Sequence, residues 1–146
     1  MRRISRGAPA LALLLALGTL AAHPAAANES VGVTGLRAAD LTAPLGIDDT
    51  TPPLSWQITA TGSDVTQTAY EIQAATSADG LRHPDLWDSG RVASADQRVD
   101  YKGRRVGSRT QVYWRVRVWT HGGASPWSAP ATWSTGLLSA GDWSAK

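Results

Sequence analysis

The stretch QVYWRVRVWT, residues 111–120, has the most regular alternation in the chain. Polar residues stand between its apolar ones, which are Val112, Trp114, Val116 and Val118. Because successive side chains of a strand point to opposite faces of a sheet, this pattern predicts a half-buried strand. Its inner face is apolar, and its outer face carries Arg115 and Arg117.

Shorter stretches of the same kind precede and follow this strand. LSWQITA (54–60) and TAYEIQAAT (68–76) alternate apolar and polar residues, and glycine, proline, aspartate or serine lies between the stretches. The other predicted strands are residues 31–38, an extended piece around 86–92, residues 97–101 and residues 131–136. No segment shows a helical period, so about seven strands separated by turns predict an all-β antiparallel sandwich.

The first 27 residues have the pattern of a cleavable secretory signal peptide. Arg2, Arg3 and Arg6 precede the apolar run ALALLLALGTLAA, and the AAA before Asn28 fits a signal peptidase site. A membrane anchor is the alternative, but it needs about 20 consecutive apolar residues. We therefore expect a secreted or periplasmic protein, with no membrane segment after cleavage.

Removing this segment changes the charge of the protein. The whole chain has 14 lysines and arginines against 12 acidic residues, and three of those arginines lie in the signal segment, so the mature chain is close to neutral. No basic patch remains that would predict nucleic-acid binding. The chain has no cysteine, which excludes disulfides and thiol chemistry. The mature length suits one domain held together by packing alone.

Several short motifs occur in an order that resembles one known family. They are PLGIDDTTPPLSW (44–56), AYEIQAATS (69–77), LWDSGRV (86–92), YKG (101–103), YWRVRVWT (113–120), WSAPATWSTGLL (127–138) and DWSAK (142–146). Each motif alone is weak, but the ordered set resembles the start of bacterial α-L-rhamnosidases. The resemblance covers nearly all of the mature chain.

This resemblance implies a fibronectin type III- or immunoglobulin-like β-sandwich with an accessory role. In that family such a module precedes a carbohydrate-binding-like β-domain and a large helical barrel, whose acidic residues hydrolyse terminal L-rhamnose with inversion. We expect residues 28–138 to form the sandwich and residues 139–146 to begin a linker. The barrel is expected to lie outside this chain. The implied partners are the following domains of the same enzyme and rhamnose-containing glycans.

One position departs from the family pattern. Relatives often carry two tyrosines before WRVRV, whereas this chain has Val112 in the first position. An inward tyrosine near the start of this strand tends to hydrogen-bond a turn. Tyr113 points to the other face by alternation, which puts that hydrogen bond in doubt.

The carboxylates of the chain do not form a catalytic pattern. Asp48 and Asp49 are neighbours in a turn, where aspartates usually bond their own backbone. Asp85 and Asp88 are expected to cap turns in the same way. An inverting glycosidase needs two carboxyl groups about 6.5–9.5 Å apart around a sugar pocket. We therefore predict no catalytic residue.

No metal or cofactor site is predicted either. His83 and His121 are far apart, and neither belongs to a cluster at ligand spacing. A single calcium ion held by Asp48, Asp49 and turn carbonyls is the alternative. The chain has no GxSxG motif and no glycine-rich phosphate loop, so no cofactor is expected.

Seven tryptophans supply most of the aromatic surface. Trp56 and Trp114 stand on apolar strand faces and are predicted to be core residues. The remaining candidates for carbohydrate or interdomain contact are Trp87, Trp119, Trp127 and Trp143. The alternative is that these rings seal the sandwich edges, and an interdomain contact suits Trp143 best. We also expect an exposed apolar patch around Leu137, Leu138 and Trp143.

Two functions therefore remain open. The first is a non-catalytic N-terminal accessory module of a secreted α-L-rhamnosidase. The second is a stand-alone secreted carbohydrate-binding or adhesion module that uses surface tryptophans. A third, in which this chain is itself a glycosidase, lacks the required carboxylate pair.

Overall fold

The structure is a computed structural model that describes residues 30–143. The predicted signal peptide lies outside the described residues. The strands are β1 (Val31–Ala38), β2 (Pro53–Ala60), β3 (Ala69–Ala75), β4 (Trp87–Asp88), β5 (Arg98–Asp100), β6 (Gln111–Thr120), β7 (Gly123–Ala124) and β8 (Ala131–Ser134). Short 3-10 helices span Asp79–Arg82 and Ala140–Asp142. Neither helix in this part of the chain is long and apolar enough to cross a membrane.

Two antiparallel sheets form the fold. The first has the order β1-β2-β5. The second has the order β4-β3-β6, and β7 and β8 pair one after the other along the opposite edge of β6. This architecture confirms the predicted all-β sandwich, with eight strands instead of about seven.

The long strands have the bounds that the sequence pattern predicts. β1 and β6 agree at both ends, and β2 begins one residue early, at Pro53. The turn expected after residue 120 contains β7, because the chain reverses across His121 and Gly122 and pairs again with β6 at once. The extended piece at 86–92 forms only β4 and a single bridge to β3.

The core lies between the sheets and is centred on the inner face of β6. Its apolar side chains are fully buried, and so are facing side chains of the other strands, including Leu54, Ile72 and Trp133. Trp56 and Trp114 are buried as predicted, at 3% and 0% exposure. Burial of one large apolar side chain contributes about 1.5–3 kcal/mol, so the four buried side chains of this face contribute substantially to stability.

Trp56 also closes a loop onto the sandwich. Its indole Nε1 donates a hydrogen bond to Oε1 of the buried Gln67 at 3.0 Å. The amide nitrogen of Gln67 donates in turn to the backbone carbonyls of Ser94 and Asp96. A single buried side chain thereby ties the segment before β5 to the core.

The proline-rich segment at residues 44–56 connects β1 to β2 and lies along β8. The carbonyl of Pro44 accepts the amide of Ser134, and the amide of Ile47 donates to the carbonyl of Ser134. Asp49 Oδ1 accepts the amide of Thr51 at 2.8 Å, the local turn predicted for this aspartate. The segment is therefore a connection between strands, as the sequence indicated.

Tyr101 and Gly103 explain the YKG motif. The Tyr101 ring is buried, and its hydroxyl donates to the carbonyl of Arg104 at 2.8 Å. Burial raises the pKa of this phenol to about 12. A Cβ at Gly103 would lie 2.4 Å from the Tyr101 hydroxyl and 2.6 Å from the Trp87 Cβ, so only glycine fits between the two rings.

The inward tyrosine expected of relatives has no counterpart here. Val112 fills the inward position with 0% exposure, and Tyr113 is half-buried on the other face. The hydroxyl–backbone hydrogen bond near this end of the sandwich comes from Tyr101 instead. It closes the turn before β6 rather than a turn at the start of β6.

Candidate functional site

The outer face of the larger sheet carries an unusual set of polar side chains. β3 and β6 pair in a register that places Glu71 opposite Arg117 and Gln73 opposite Arg115. Arg117 binds Glu71 Oε2 through Nε at 2.8 Å and through Nη2 at 2.7 Å. Arg115 binds Gln73 Oε1 through Nε at 3.0 Å and Nη2 at 2.7 Å. Each cross-strand pair is therefore joined by two close contacts between one guanidinium and one side-chain oxygen.

Two indole rings lie among these arginines. The Trp127 ring centroid is 4.4 Å from the guanidinium carbon of Arg115 and 4.6 Å from that of Arg117. The Trp119 centroid is 5.0 Å from Arg117 and 4.9 Å from Arg91. We call the series Arg91, Trp119, Arg117, Trp127 and Arg115 the arginine–tryptophan ladder. Distances under about 6 Å are within the range of cation–π attraction.

The ladder covers the polar residues of β3. The sequence places Glu71 and Gln73 on the outer face, and they do lie there, but their exposures are only 8% and 9%. The arginines and indole rings shield them from solvent. Burial also lowers the pKa of Arg115, with the charge of Arg117 as the next cause. Gln73 Nε2 donates to Asp88 Oδ2 at 3.1 Å, which extends the network to β4.

Two serines place Trp127 on this face. The segment between β7 and β8 stays on the edge of β6, because the amides of Ser125 and Ser128 donate to the carbonyls of Val118 and Val116. The hydroxyls of the same serines accept the amides of Val118 and Val116 at 3.0 and 3.1 Å. The serine side chains thus replace missing strand carbonyls and fix the position of the ring between them.

Trp119 and Trp127 are therefore engaged by residues of this same domain. A sugar ring binds tryptophan by lying against an open indole face, whereas each of these rings already contacts two guanidinium groups. Sequence reasoning placed both rings outside the core but missed their arginine partners. The arginine spacing on β6 and the serines on both sides of Trp127 were the available signals.

Trp87 is held between the surface and the core. It pairs with Ala74 of β3 and is half-buried. Its ring meets the Tyr101 ring edge to face, with centroids 5.4 Å apart. Tyr101 continues the series to Trp133 at 5.7 Å. Such pairs contribute about 0.5–1.5 kcal/mol beyond burial, which gives Trp87 a packing role in this structure.

Trp143 is the fourth candidate, and it is 73% exposed. It lies at one end of the sandwich, where β8 finishes and β6 begins. We call this region the exit end and define it as residues 44–47, 107–110 and 135–143. Hydrogen bonds join its segments: Gly136 receives a bond from the amide of Arg109 and donates one to the carbonyl of Ile47.

The last helix of the described chain is fastened to the exit end. Asp142 accepts hydrogen bonds from the Ser108 hydroxyl and from the Ser139 amide, the latter at 3.0 Å. Ser108 Oγ also accepts the amide of Leu138 at 2.9 Å. These bonds, with that of Ser108 first, hold the pKa of Asp142 below its usual value. The described backbone is thus anchored up to Asp142, past the predicted linker start at residue 139.

The apolar surface of the exit end differs from the predicted patch. Leu137 and Leu138 are half-buried instead of exposed. The hydrogen bond from the Leu138 amide to Ser108 holds this segment against the domain. Among the described residues, the exposed large apolar side chains are Leu45 at 82% and Trp143 at 73% at this end, and Leu41 at 55% in the turn after β1. The prediction was right for Trp143 and missed Leu41 and Leu45. The sequence did offer a signal for them, because each is an apolar residue in the loop between β1 and β2.

The carboxylates outside the ladder act in local structure. Asp85 accepts the amide of Thr76 at 2.9 Å and its hydroxyl at 2.7 Å, and these bonds, the hydroxyl first, lower its pKa. Asp88 accepts the amide of Gly90 at 2.9 Å. Asp88 therefore closes a local turn, as predicted, whereas Asp85 closes the longer loop that begins at Thr76. Asp40 forms an exposed ion pair with Arg98.

Neither a metal site nor a deep cleft is evident in residues 30–143. No group of three or more histidine, cysteine or carboxylate residues could hold a metal ion there. His83 and His121 are both exposed. One groove of about 600 Å³ is open and carries one carboxylate, Asp64, beside Gln57 and Gln97. A single carboxylate cannot supply the acid and the base of glycoside hydrolysis.

The geometry defines an immunoglobulin- or fibronectin-like sandwich, and the comparisons with known proteins agree on this class. Residues 33–139 match the family described as "Rha78A-like, N-terminal immunoglobulin domain". The chain belongs to this family. A solved Fn3-like protein from Clostridium thermocellum, at 20% identity and a TM-score of 0.50, shares the fold.

The α-L-rhamnosidases that this chain resembles are much longer than the chain itself. It is 50% identical over 105 residues to an α-L-rhamnosidase of Streptomyces avermitilis, covering 70% of this chain and 10% of the relative. The crystal structure of an S. avermitilis α-L-rhamnosidase with L-rhamnose matches with a TM-score of 0.77 and 45% identity, over 80% of this chain and 12% of that one. An α-L-rhamnosidase from Dictyoglumus thermophilum matches with a TM-score of 0.75 and 32% identity, over 78% and 13%. The chain thus spans about a tenth of the length of these relatives.

Proposed function

We propose that this domain is a non-catalytic accessory module of a secreted α-L-rhamnosidase, where it supports and positions the following domains. The complete enzyme would release terminal L-rhamnose by inverting hydrolysis, with its acidic residues on another domain. The chain's own membership of the N-terminal domain family, and its match to about a tenth of each α-L-rhamnosidase, support this role.

The observation that carries the proposal is that these carboxylates are engaged in ion pairs and hydrogen bonds within the domain. Glu71 pairs with Arg117, Asp85 and Asp142 accept hydrogen bonds that fasten segments of the backbone, and Asp88 binds Gly90 and Gln73. A general acid needs a carboxyl group with a raised pKa in a sugar pocket. The carboxyl groups whose pKa is shifted are all shifted downward, the opposite direction.

An activity assay on the purified mature chain tests this proposal. We expect no turnover of an aryl α-L-rhamnoside above that of a heat-denatured sample. Asp64 is the one carboxylate that lines the open groove beside Gln57 and Gln97. Turnover that survives repurification and is lost in Asp64→Asn would therefore contradict the proposal. The coding sequence downstream gives an independent test: continuation into a barrel domain is expected, and a stop codon followed by unrelated genes would argue against the proposal.

A second candidate function is carbohydrate binding through Trp143, the one candidate tryptophan with a largely open ring. Titration with L-rhamnose and rhamnosylated polysaccharides, followed by tryptophan fluorescence, tests it. Trp143→Ser should abolish any saturable change if the ring binds sugar, and Trp127→Leu should not. A flat response in the parent chain removes this candidate.

Secretion is part of the same proposal. The basic and apolar pattern of the first 27 residues supports export with cleavage before Asn28. Expression in a secreting bacterial host should yield an exported protein whose intact mass begins at Asn28. Retention in the membrane fraction with the full-length mass would show an anchor instead.

A further inference from the structure

We propose that the arginine–tryptophan ladder, extended by Arg82, binds a linear polysaccharide that carries carboxylate groups. The inference rests on the proposed function, because an accessory module of a glycoside hydrolase would meet a glycan polymer. It differs from sugar stacking on an open tryptophan ring, since guanidinium groups would make the contacts. The ladder gathers positive charge on one face of a domain that is close to neutral as a whole.

The ring contacts of the ladder show that its arginines form one continuous surface. The Trp119 ring centroid lies within 5.0 Å of the guanidinium carbons of both Arg91 and Arg117. The Trp127 centroid lies within 4.6 Å of those of Arg117 and Arg115. Consecutive arginines therefore share a ring, and their charges follow one another across the sheet.

Arg82 extends this series beyond Arg115. Arg115 Nη2 donates to the carbonyl of Leu81 at 2.9 Å, which ties the short helix that ends at Arg82 to β6. Burial, followed by the charges of Arg117 and Arg82, lowers the pKa of Arg115, so Arg82 acts on the same surface. We call these four residues the arginine strip: Arg82, Arg91, Arg115 and Arg117.

The carboxylates of the domain neutralise only part of this charge. Glu71 pairs with Arg117 and is 8% exposed. Asp88, on the neighbouring β4, bonds to a backbone amide and a glutamine side chain instead of an arginine. The other three arginines of the strip form no ion pair within residues 30–143. Charge complementarity therefore favours an anionic partner.

The strip also offers N–H donors to such a partner. Arg82 and Arg91 are exposed. Arg115 and Arg117 contact side-chain oxygens of β3 through Nε and Nη2, so Nη1 of each guanidinium is left for a ligand. Guanidinium groups bind carboxylates through paired N–H donors, which makes a carboxylate the best-matched anion.

The shape of the strip favours a stiff polyanion. Its arginines lie one after another on the outer face of a sheet, so a linear chain with regularly spaced charges can contact them together. A polysaccharide of uronic acid units is stiff, and it loses less conformational entropy on binding than a flexible acidic peptide does. An acidic polypeptide is therefore the outcome that the experiment must separate.

Isothermal titration calorimetry of the mature chain with polygalacturonate tests the inference. We expect binding that is lost when the salt concentration rises from about 0.01 M to about 1 M, because the screening length falls from about 30 Å to about 3 Å. The fully methyl-esterified polymer has the same backbone without the charge and should not bind. The indole N–H resonances of Trp119 and Trp127 should shift on binding, and that of Trp143 should not.

A charge-matched pair of variants locates the site. Arg82→Gln combined with Arg91→Gln removes two charges of the strip and leaves the ion pair of the ladder in place. This variant should weaken polygalacturonate binding about fivefold or more. Arg37→Gln combined with Arg98→Gln removes the same charge from the other sheet and should change the affinity by less than about twofold.

Each outcome supports or overturns the surface. Absence of binding at low salt, equal binding of the esterified polymer, or equal losses in the two double variants overturns it. Poly-L-glutamate that binds as tightly as polygalacturonate also overturns it and assigns the strip to an acidic protein. A shift at Trp143 without one at Trp119 and Trp127 places the ligand elsewhere.

The proposed function is decided by different measurements. Absence of polygalacturonate binding, with a barrel domain encoded downstream, removes the glycan surface and leaves the accessory role intact. Binding through the strip, with a stop codon and unrelated genes downstream, contradicts the accessory role and leaves the surface intact.

Discussion

The outer face of the β3–β6 sheet and the exit end both carry tryptophan on the surface, but they use it in opposite ways. In the ladder, Trp119 and Trp127 each contact two arginines of the same domain. At the exit end, Trp143 is 73% exposed and stands on a helix whose hydrogen bonds involve backbone and polar groups instead of the ring. The ladder ring contacts are satisfied within the domain, whereas those of Trp143 are not.

This difference separates tryptophans whose rings are engaged within the domain from one whose ring is largely open to solvent. Removing a ladder residue should weaken the isolated domain, because its partners are all internal. Replacing Trp143 should leave the stability of the isolated domain almost unchanged. It should affect only contacts that the exposed ring makes with another molecule or domain. The following predictions run from the largest expected effect to the smallest.

Arg117→Ala should produce the largest loss. The substitution leaves the carboxylate of Glu71, 8% exposed, without its ion-pair partner and removes contacts with two indole rings. Breaking a buried pair costs about 3–5 kcal/mol, and the partial exposure of this arginine reduces the expected loss to about 2–3 kcal/mol. Urea unfolding measures it. Arg37→Ala, on the other sheet, is the control and should change stability by less than about 0.5 kcal/mol.

Trp127→Leu should give an intermediate loss. Leucine keeps apolar contact on the edge of β6 but removes the cation–π contacts with Arg115 and Arg117. We expect the free energy of unfolding to fall by about 1–2 kcal/mol. A double-mutant cycle with Arg115→Ala should give non-additive losses. Strict additivity would mean that the ring and this arginine do not interact energetically.

The helix of the exit end should loosen in acid. The Ser108 hydroxyl, with the Ser139 side chain and amide, holds the pKa of Asp142 below its unfolded value. The stabilising effect of the carboxylate is therefore complete above the unfolded pKa of about 3.9 and is lost as pH falls through the folded pKa. The amide resonances of Ser139 and Trp143 should shift together below about pH 4. Asp142→Asn should abolish this transition, and its persistence in that variant would assign it to another group.

Trp143→Ser should have the smallest effect on stability. A side chain that is 73% exposed loses little buried area on substitution, so we expect a change within about 0.5 kcal/mol in urea unfolding. The same substitution should lower the binding of a hydrophobic dye to the mature chain. A destabilisation comparable to that of Trp127→Leu would show that the ring packs within the domain, and the contrast between the two regions would disappear.

Alternation, turn spacing and the lack of a helical period predicted the fold class and the long strands. β6 and β1 have the predicted bounds, and the inner face of β6 is buried as predicted. Alternation works here because a one-residue shift would turn the whole apolar set of a strand into solvent. The roles of Asp49 and Asp88 were predictable as well, since an aspartate in a turn bonds the backbone next to it.

Pairing across strands decided what the sequence could not. Glu71 and Arg117 are 46 positions apart. Only the register of β3 on β6 brings this ion pair together beneath the indole rings. Likewise, Leu45 is brought to the end of β8 only because the loop after β1 is hydrogen-bonded to Ser134 and Gly136. A sequence pattern reports which face a side chain occupies. Which long-range neighbours cover that face depends on the tertiary structure, because it is set by strand register and loop packing.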